Sequence, residues 1–178
     1  MTSLRTLLAS IFCITFVDAA AAETKLTDFN GEWRGTGQDR DSPLQSLQDT
    51  ACQNAVRATP QRMNIEMTCE RKSGIRKTTR MNVTLEGDQL NGRINQRTSE
   101  PGREDAVIGG TLSGKKTDNS ANLTATWKGP TPSASINLKL NTPTSYSMKV
   151  TVLGLTFMDT AFNRAAERAP PRQPPQQR

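Results

Sequence analysis

The chain of 178 residues contains no histidine. That absence removes the imidazole base of Ser-His-Asp and Cys-His nucleophiles. It also removes histidine-ligated metals and a histidine proton shuttle. Aromatic residues make up 4% of the chain, too few for the stacking platforms of a single-strand nucleic-acid binder. The net charge is +6, but the basic residues are dispersed, so no nucleic-acid stripe is read. Carboxylates remain the one conventional acid–base pair available. Glu66, Glu70, Glu86, Asp88, Glu100, Glu104 and Asp105 lie in turns or among cations, with no spacing that marks a pair. The expectation is a protein that is not an enzyme, with no cofactor and no metal.

Long apolar runs are also scarce. Leu7 to Val17 is the main one, preceded by Arg5 and followed by Asp18 and Ala19 to Ala22. A basic start, a short apolar centre and an Ala-x-Ala site form the pattern of a secretory signal peptide. Residues 1–22 are read as that signal, cut after Ala22, with Ala19 or Ala21 as neighbouring alternatives. A spanning helix needs about 20 apolar residues, more than this run supplies. Cys13 follows the bulky Phe12, not the small residue that precedes a lipid-modified cysteine. The alanine-rich cut site looks bacterial, so the expected address is periplasmic or secreted, without a stable membrane span.

Cysteine is scarce, and with Cys13 in the signal only Cys52 and Cys69 remain. In an exported chain such a pair is most simply a disulfide. Two thiols without histidine are too few for zinc.

Helical periodicity is nearly missing. Leu44, Leu47 and Ala51 are spaced like one face of a helix, so a short helix or long loop is expected near residues 42–55. Elsewhere the period is two. Met63, Ile65, Met67 and Cys69 face one way; Asn64, Glu66, Thr68 and Glu70 face the other. Thr79, Met81, Val83 and Leu85 repeat the pattern up to a Glu86-Gly87-Asp88 turn. Leu90 to Gln96 returns. Ala106 to Leu112, Leu123 to Trp127, and Ile136 to Leu140 follow at short intervals. A long last strand runs from Tyr146 through Val152 to Leu155 and Phe157, with a bulge at Gly154. Short strands with regular turns argue for an all-β barrel or sandwich, and consecutive hairpins favour an up-and-down antiparallel β-barrel of about eight strands. The domain is placed at residues 23–164. Residues 165–178, rich in Pro, Gln and Arg, are read as a disordered tail.

The first strand opens Gly31-Glu32-Trp33-Arg34-Gly35-Thr36-Gly37. Its Gly-x-Trp resembles the calycin superfamily of lipocalins, avidins and related barrels. The wider pattern resembles a group of small exported bacterial proteins with that start, two cysteines in the next strands and a hairpin meander ending near an Arg. The resemblance implies a barrel plugged at one end by Trp33, with Arg164 stacked on it and Gly31 at the strand start. Met63, Met67, Met81, Leu123, Ile136 and Met148 are the candidate lining for a small apolar or amphipathic ligand, since thioethers make an adaptable wall. The reading is therefore a non-catalytic binding module. The alternative is a protein-facing role, such as a secreted protease inhibitor or envelope accessory factor, with residues 23–27 as a protruding arm.

Overall fold

The computed structural model describes residues 24–166. The expected signal peptide and almost all of the expected tail lie outside those residues. A 3-10 turn, Leu26–Phe29, leads into ten strands: β1 Gly31–Asp39, β2 Gln48–Thr59, β3 Arg62–Arg71, β4 Arg76–Glu86, β5 Gln89–Ser99, β6 Ala106–Lys116, β7 Ser120–Trp127, β8 Ala134–Thr142, β9 Ser145–Val152 and β10 Leu155–Arg164. Each pairs antiparallel with its sequence neighbours, and β1 pairs with β10 from Trp33↔Arg164 to Asp39↔Met158. The result is a closed up-and-down barrel, which leaves no unpaired strand edge.

Ten strands replace the expected eight for two local reasons. Residues 48–55 form most of β2 rather than a helix, and only residues 40–47 are loop. The helix-like apolar set points nowhere useful: Leu44 is 98% exposed and Ala51 is also exposed. The buried phase of β2 is Thr50, Cys52, Asn54 and Val56. Three of those four are polar or small, so alternation did not read as apolar. The second reason lies at the end of the chain. The expected last strand is two, β9 and β10, split by a two-residue turn at Leu153 and Gly154. Both have positive φ, 50° and 78°, as a type I′ hairpin turn requires. Gly154 therefore marks a turn. The bulge comes later, where the β9–β10 register shifts between Thr156 and Met158 and Phe157 is the extra residue.

β3 and β4 follow their alternation. Met63, Ile65, Met67 and Cys69 are buried, as are Thr79, Met81 and Val83. Outward positions around the barrel are polar or charged, among them Asn64, Arg80, Arg93, Thr124, Lys139 and Lys149. No helix among the described residues is long and apolar enough to cross a membrane. Five exposed ion pairs tie up carboxylates considered above: Glu66–Arg80, Glu70–Arg76, Glu100–Arg103, Asp105–Arg97 and Asp88–Lys115.

Cys52 and Cys69 form a disulfide between paired positions of β2 and β3. Its closed loop restricts the unfolded chain by an amount worth about 3 kcal/mol. Urea unfolding with and without reductant should differ by about that much.

Candidate functional site

The two ends of the barrel are built differently. One end is plugged. Trp33 is 1% exposed, and its Nε1 donates to the Phe29 carbonyl at 2.9 Å. Tyr146 meets Trp33 edge-on at 4.9 Å between ring centres and stacks on Phe162 at 4.7 Å. Phe162 reaches across β1 because residue 35 is glycine: a Cβ there would lie 2.7 Å from the Phe162 ring and 2.5 Å from the Ala161 carbonyl oxygen. Arg164 lies over Trp33, 4.5 Å from the ring centre, and donates to the carbonyls of Asn30 and Pro143 at 2.5 and 3.2 Å. Gly31, at φ 138°, lets the chain turn beneath that guanidinium. Burial pushes the Tyr146 hydroxyl far above the ordinary tyrosine range, offset in part by the amide of Asn54, which donates to it. Tyr146 therefore stays protonated and acts as packing. Residues 24–27 belong to this plug. Thr24 donates to the Asp118 carbonyl at 2.7 Å and Leu26 is buried, so they form no protruding arm.

The other end is open, and a cavity of about 590 Å³ occupies it. Its walls differ in chemistry. Ala134 and Ile136 on β8, Met148, Val150 and Val152 on β9, and Met158 on β10 make a continuous apolar wall of paired neighbours. Across from it, β4 and β5 present Lys77, Thr79, Gln96 and Thr98, in register as Thr79↔Gln96 and Lys77↔Thr98. The side chains of Thr79, Gln96 and Thr98 form no hydrogen bond within the described protein. Gln96 and Thr98 are half-buried at the open end, so this wall offers hydrogen-bonding groups to whatever fills the cavity, whereas the buried side-chain atoms left without a partner among the described residues are Asn54 Oδ1 and Thr160 Oγ1. Trp127 and Ile94 also line it.

Four charges brace the mouth. Asp39, at the inward end of β1, accepts from Arg71 Nε at 2.5 Å and from Lys77 Nζ at 2.6 Å. Asp41, on the following loop, accepts from Lys77 at 2.6 Å and is bidentate with Arg71. The Arg71 and Asp39 side chains are only 3% and 4% exposed. Two positive and two negative charges cancel, so the cluster holds the 40–47 loop against the barrel without creating an ionic socket. Asp41 is held below its ordinary value of 3.8: burial opposes ionisation, but hydrogen bonds and charge from Arg71 and Lys77 together outweigh it. Arg71 is likewise raised, because its two carboxylate partners outweigh burial. Arg40 latches the same loop to β10, donating from Nε to the Thr156 carbonyl at 2.6 Å with its guanidinium 5.6 Å from the Phe157 ring centre.

Of the six candidate lining residues, Met67, Ile136 and Met148 line the cavity. Met63, Met81 and Leu123 do not. They are wholly buried in the packed part of the core, Met63 at the plugged-end start of β3 and Met81 and Leu123 midway along β4 and β7. Sequence reasoning missed the polar wall and the charge cluster. Both were marked by phase: Asp39 follows Trp33, Gly35 and Gly37 at inward spacing, Arg71 follows Cys69, and Lys77 precedes Thr79. A charge on the inward phase of a strand must be paired or near solvent. No cluster of metal-ligating side chains occurs among the described residues.

No protein-family model matches the chain. No curated protein matches it. Among solved structures, it is similar to a redesigned beta barrel, mFAP1, bound to DFHBI, with 16% identity and a TM-score of 0.43 over 78% of this chain and 97% of that chain.

Proposed function

We propose that this protein is an exported, non-catalytic binding module of the calycin type that holds one small amphipathic molecule in its open-ended cavity. The observation that carries the reading is the cavity itself. Its volume lies in the range of sites for drug-sized ligands, and it sets free polar groups opposite an apolar wall. The ligand this fits has a flat or branched apolar body and one hydrogen-bonding edge. That edge meets Thr79, Gln96 and Thr98, while the body packs on Ile136, Met148 and Val150. The balanced charges at the mouth favour a ligand that carries little net charge. Export is supported by the signal pattern of residues 1–22, and the calycin type by the Gly31-x-Trp33 opening with Arg164 stacked on the ring.

Native mass spectrometry of protein purified from its own host should show a copurifying small molecule. Trp127 lines the cavity, so its emission should change when the extracted molecule is titrated back. Val150→Phe, which fills the apolar wall, should weaken binding at least about tenfold. Gln96→Leu, which removes a polar partner without adding bulk, should cost roughly tenfold, the worth of one buried hydrogen bond. Unchanged affinity in both variants would sink the proposal.

A further inference from the structure

Glycines recur on the inward phase of three strands: Gly35 and Gly37 on β1, Gly92 on β5, and Gly110 and Gly114 on β6. Each lies where the backbone of an adjacent strand comes too close for a side chain. A Cβ on Gly92 would overlap the Asn82 carbonyl oxygen of β4. On Gly110 and Gly114 it would overlap the Thr126 and Asn122 carbonyl oxygens of β7, and on Gly35 and Gly37 those of Ala161 and Asp159 on β10. Strand glycines at such close approaches mark tight bends at the corners of a barrel. The bends therefore fall on either side of the β5–β6 hairpin and between β1 and β10. In the closed ring of ten strands those two places are diametrically opposite. β5 and β7, which do not pair, come into contact across β6, as a fold there requires.

Between the bends lie two broad walls, β1–β4 and β7–β10. At the plugged end they stand within side-chain reach, for the Asn54 amide on β2 meets the Tyr146 hydroxyl on β9. Packing agrees with a flattened section. A barrel of about eight strands is just wide enough for side chains to fill, and width grows with strand number. A round ten-stranded barrel would leave a void along its axis, yet Met63, Met81, Leu90 and Ala125 are 0% exposed. The same walls continue to the open end. There Met67 on β3 faces Ile136 on β8, and Gln96 and Thr98 lie on the narrow edge made by β5.

We infer that the cavity is a slot that takes a planar, uncharged, conjugated ring system, a proposal that rests on the binding role given above and narrows its ligand to flat molecules. Sheets packed face to face stand about 10 Å apart. Side chains such as Met67 and Ile136 take up much of that gap, which leaves the thickness of a ring and not of a cage. Thioethers contact aromatic rings favourably, so Met67 and Met148 suit the ligand's faces. Its rim meets Gln96 and Thr98, because those sit at the edge of the slot. A glutamine carboxamide offers a donor and an acceptor side by side, the complement of a lactam on that rim.

Isothermal titration calorimetry on the exported chain, its N-terminus fixed by intact mass and any copurified molecule removed, tests the shape directly. Three neutral probes of comparable size are compared: phenanthridinone, a flat lactam; adamantane-1-carboxamide, a cage; and decanamide, a flexible chain. Phenanthridinone should bind at least about tenfold more tightly than either of the others. Ile136→Ala, which widens the slot, should cut that preference to roughly threefold or less, because the flat probe loses contacts and the cage gains room. Gln96→Leu should weaken phenanthridinone and not phenanthrene, which has the same flat body without rim polar atoms. The wild-type comparison needs no variant, so it stands even where Ile136→Ala fails to fold. Equal or tighter binding of the cage or the chain would overturn the slot and leave the cavity's binding role intact. Equal losses of phenanthridinone and phenanthrene in Gln96→Leu would overturn the rim assignment. Binding of none of the three probes would overturn slot and binding role together.

Discussion

Arg71→Ala should destabilise the barrel by about 3 kcal/mol, the lower end of what breaking a buried ion pair costs. The magnitude follows from what is left behind. Asp39 is 4% exposed and would lose the Nε donor at 2.5 Å, but it would keep Lys77 at 2.6 Å. Asp41 would lose its bidentate partner and keep the same lysine. One ammonium would then serve two carboxylates, of which Asp39 is nearly wholly buried. The β3–β4 turn should survive, because its bonds to residue 71 are backbone ones, from Arg71 to the Ile75 carbonyl and from Gly74 to the Arg71 carbonyl. Urea unfolding measures the loss. Arg71→Met with Asp39→Leu should recover much of it, since removing both partners leaves no orphaned charge. An additive double variant would show that the pair is not coupled. The acid limb reports the same cluster. A carboxylate with a depressed folded pKa contributes stability above its unfolded value, and that stability is lost as pH falls through the folded value. The wild-type protein should therefore lose the Asp41 contribution only below about pH 4, and Asp41→Asn should flatten that part of the profile.

The parts of this fold that could be read from the chain are those where hydropathy and phase agree. In β3, four apolar inward residues alternate with polar outward ones, and the structure follows them residue by residue. The disulfide was legible because only two cysteines, Cys52 and Cys69, follow residue 22. β2 failed for a physical reason. Its inward face holds Thr50, Cys52 and Asn54, each satisfied by the barrel in ways hydropathy does not register: a threonine hydroxyl on the Glu70 carbonyl, a sulfur in a disulfide, an amide on Tyr146. β10 failed because leucine at a positive-φ turn position hides the turn, and the apolar residues on either side run together as one strand. The site was half legible. Met67, Ile136 and Met148 lie on strands whose phase was right. Their separation from Met63, Met81 and Leu123 depends on how far along a tilted barrel each lies, which alternation alone does not encode. The charge cluster joins residues 30 to 38 positions apart. It becomes visible only when the curved sheet brings the inward side chains at the end of β1 and on its loop against those at the end of β3 and the start of β4.

The plugged end supplies the other large effect. Trp33→Ala should cost about 3–5 kcal/mol, the usual price of removing a buried large aromatic. Three contacts go at once: the hydrogen bond to Phe29, the edge-on contact with Tyr146 and the face on which Arg164 rests. The guanidinium contact contributes about 0.5–2 kcal/mol of that total. Arg164→Lys isolates it. Lysine keeps the charge but cannot bridge the Asn30 and Pro143 carbonyls from a planar fork. Its loss should be smaller, about 1–2 kcal/mol, and confined to the plug. Because the cavity lies at the opposite end, Arg164→Lys should leave ligand affinity unchanged, with Trp127 still reporting occupancy. A variant that loses stability and affinity together would show that the plug and the cavity behave as one cooperative unit. Equal losses from Arg164→Lys and Trp33→Ala would mean instead that the stacked pair, rather than burial of the indole, dominates closure of the barrel.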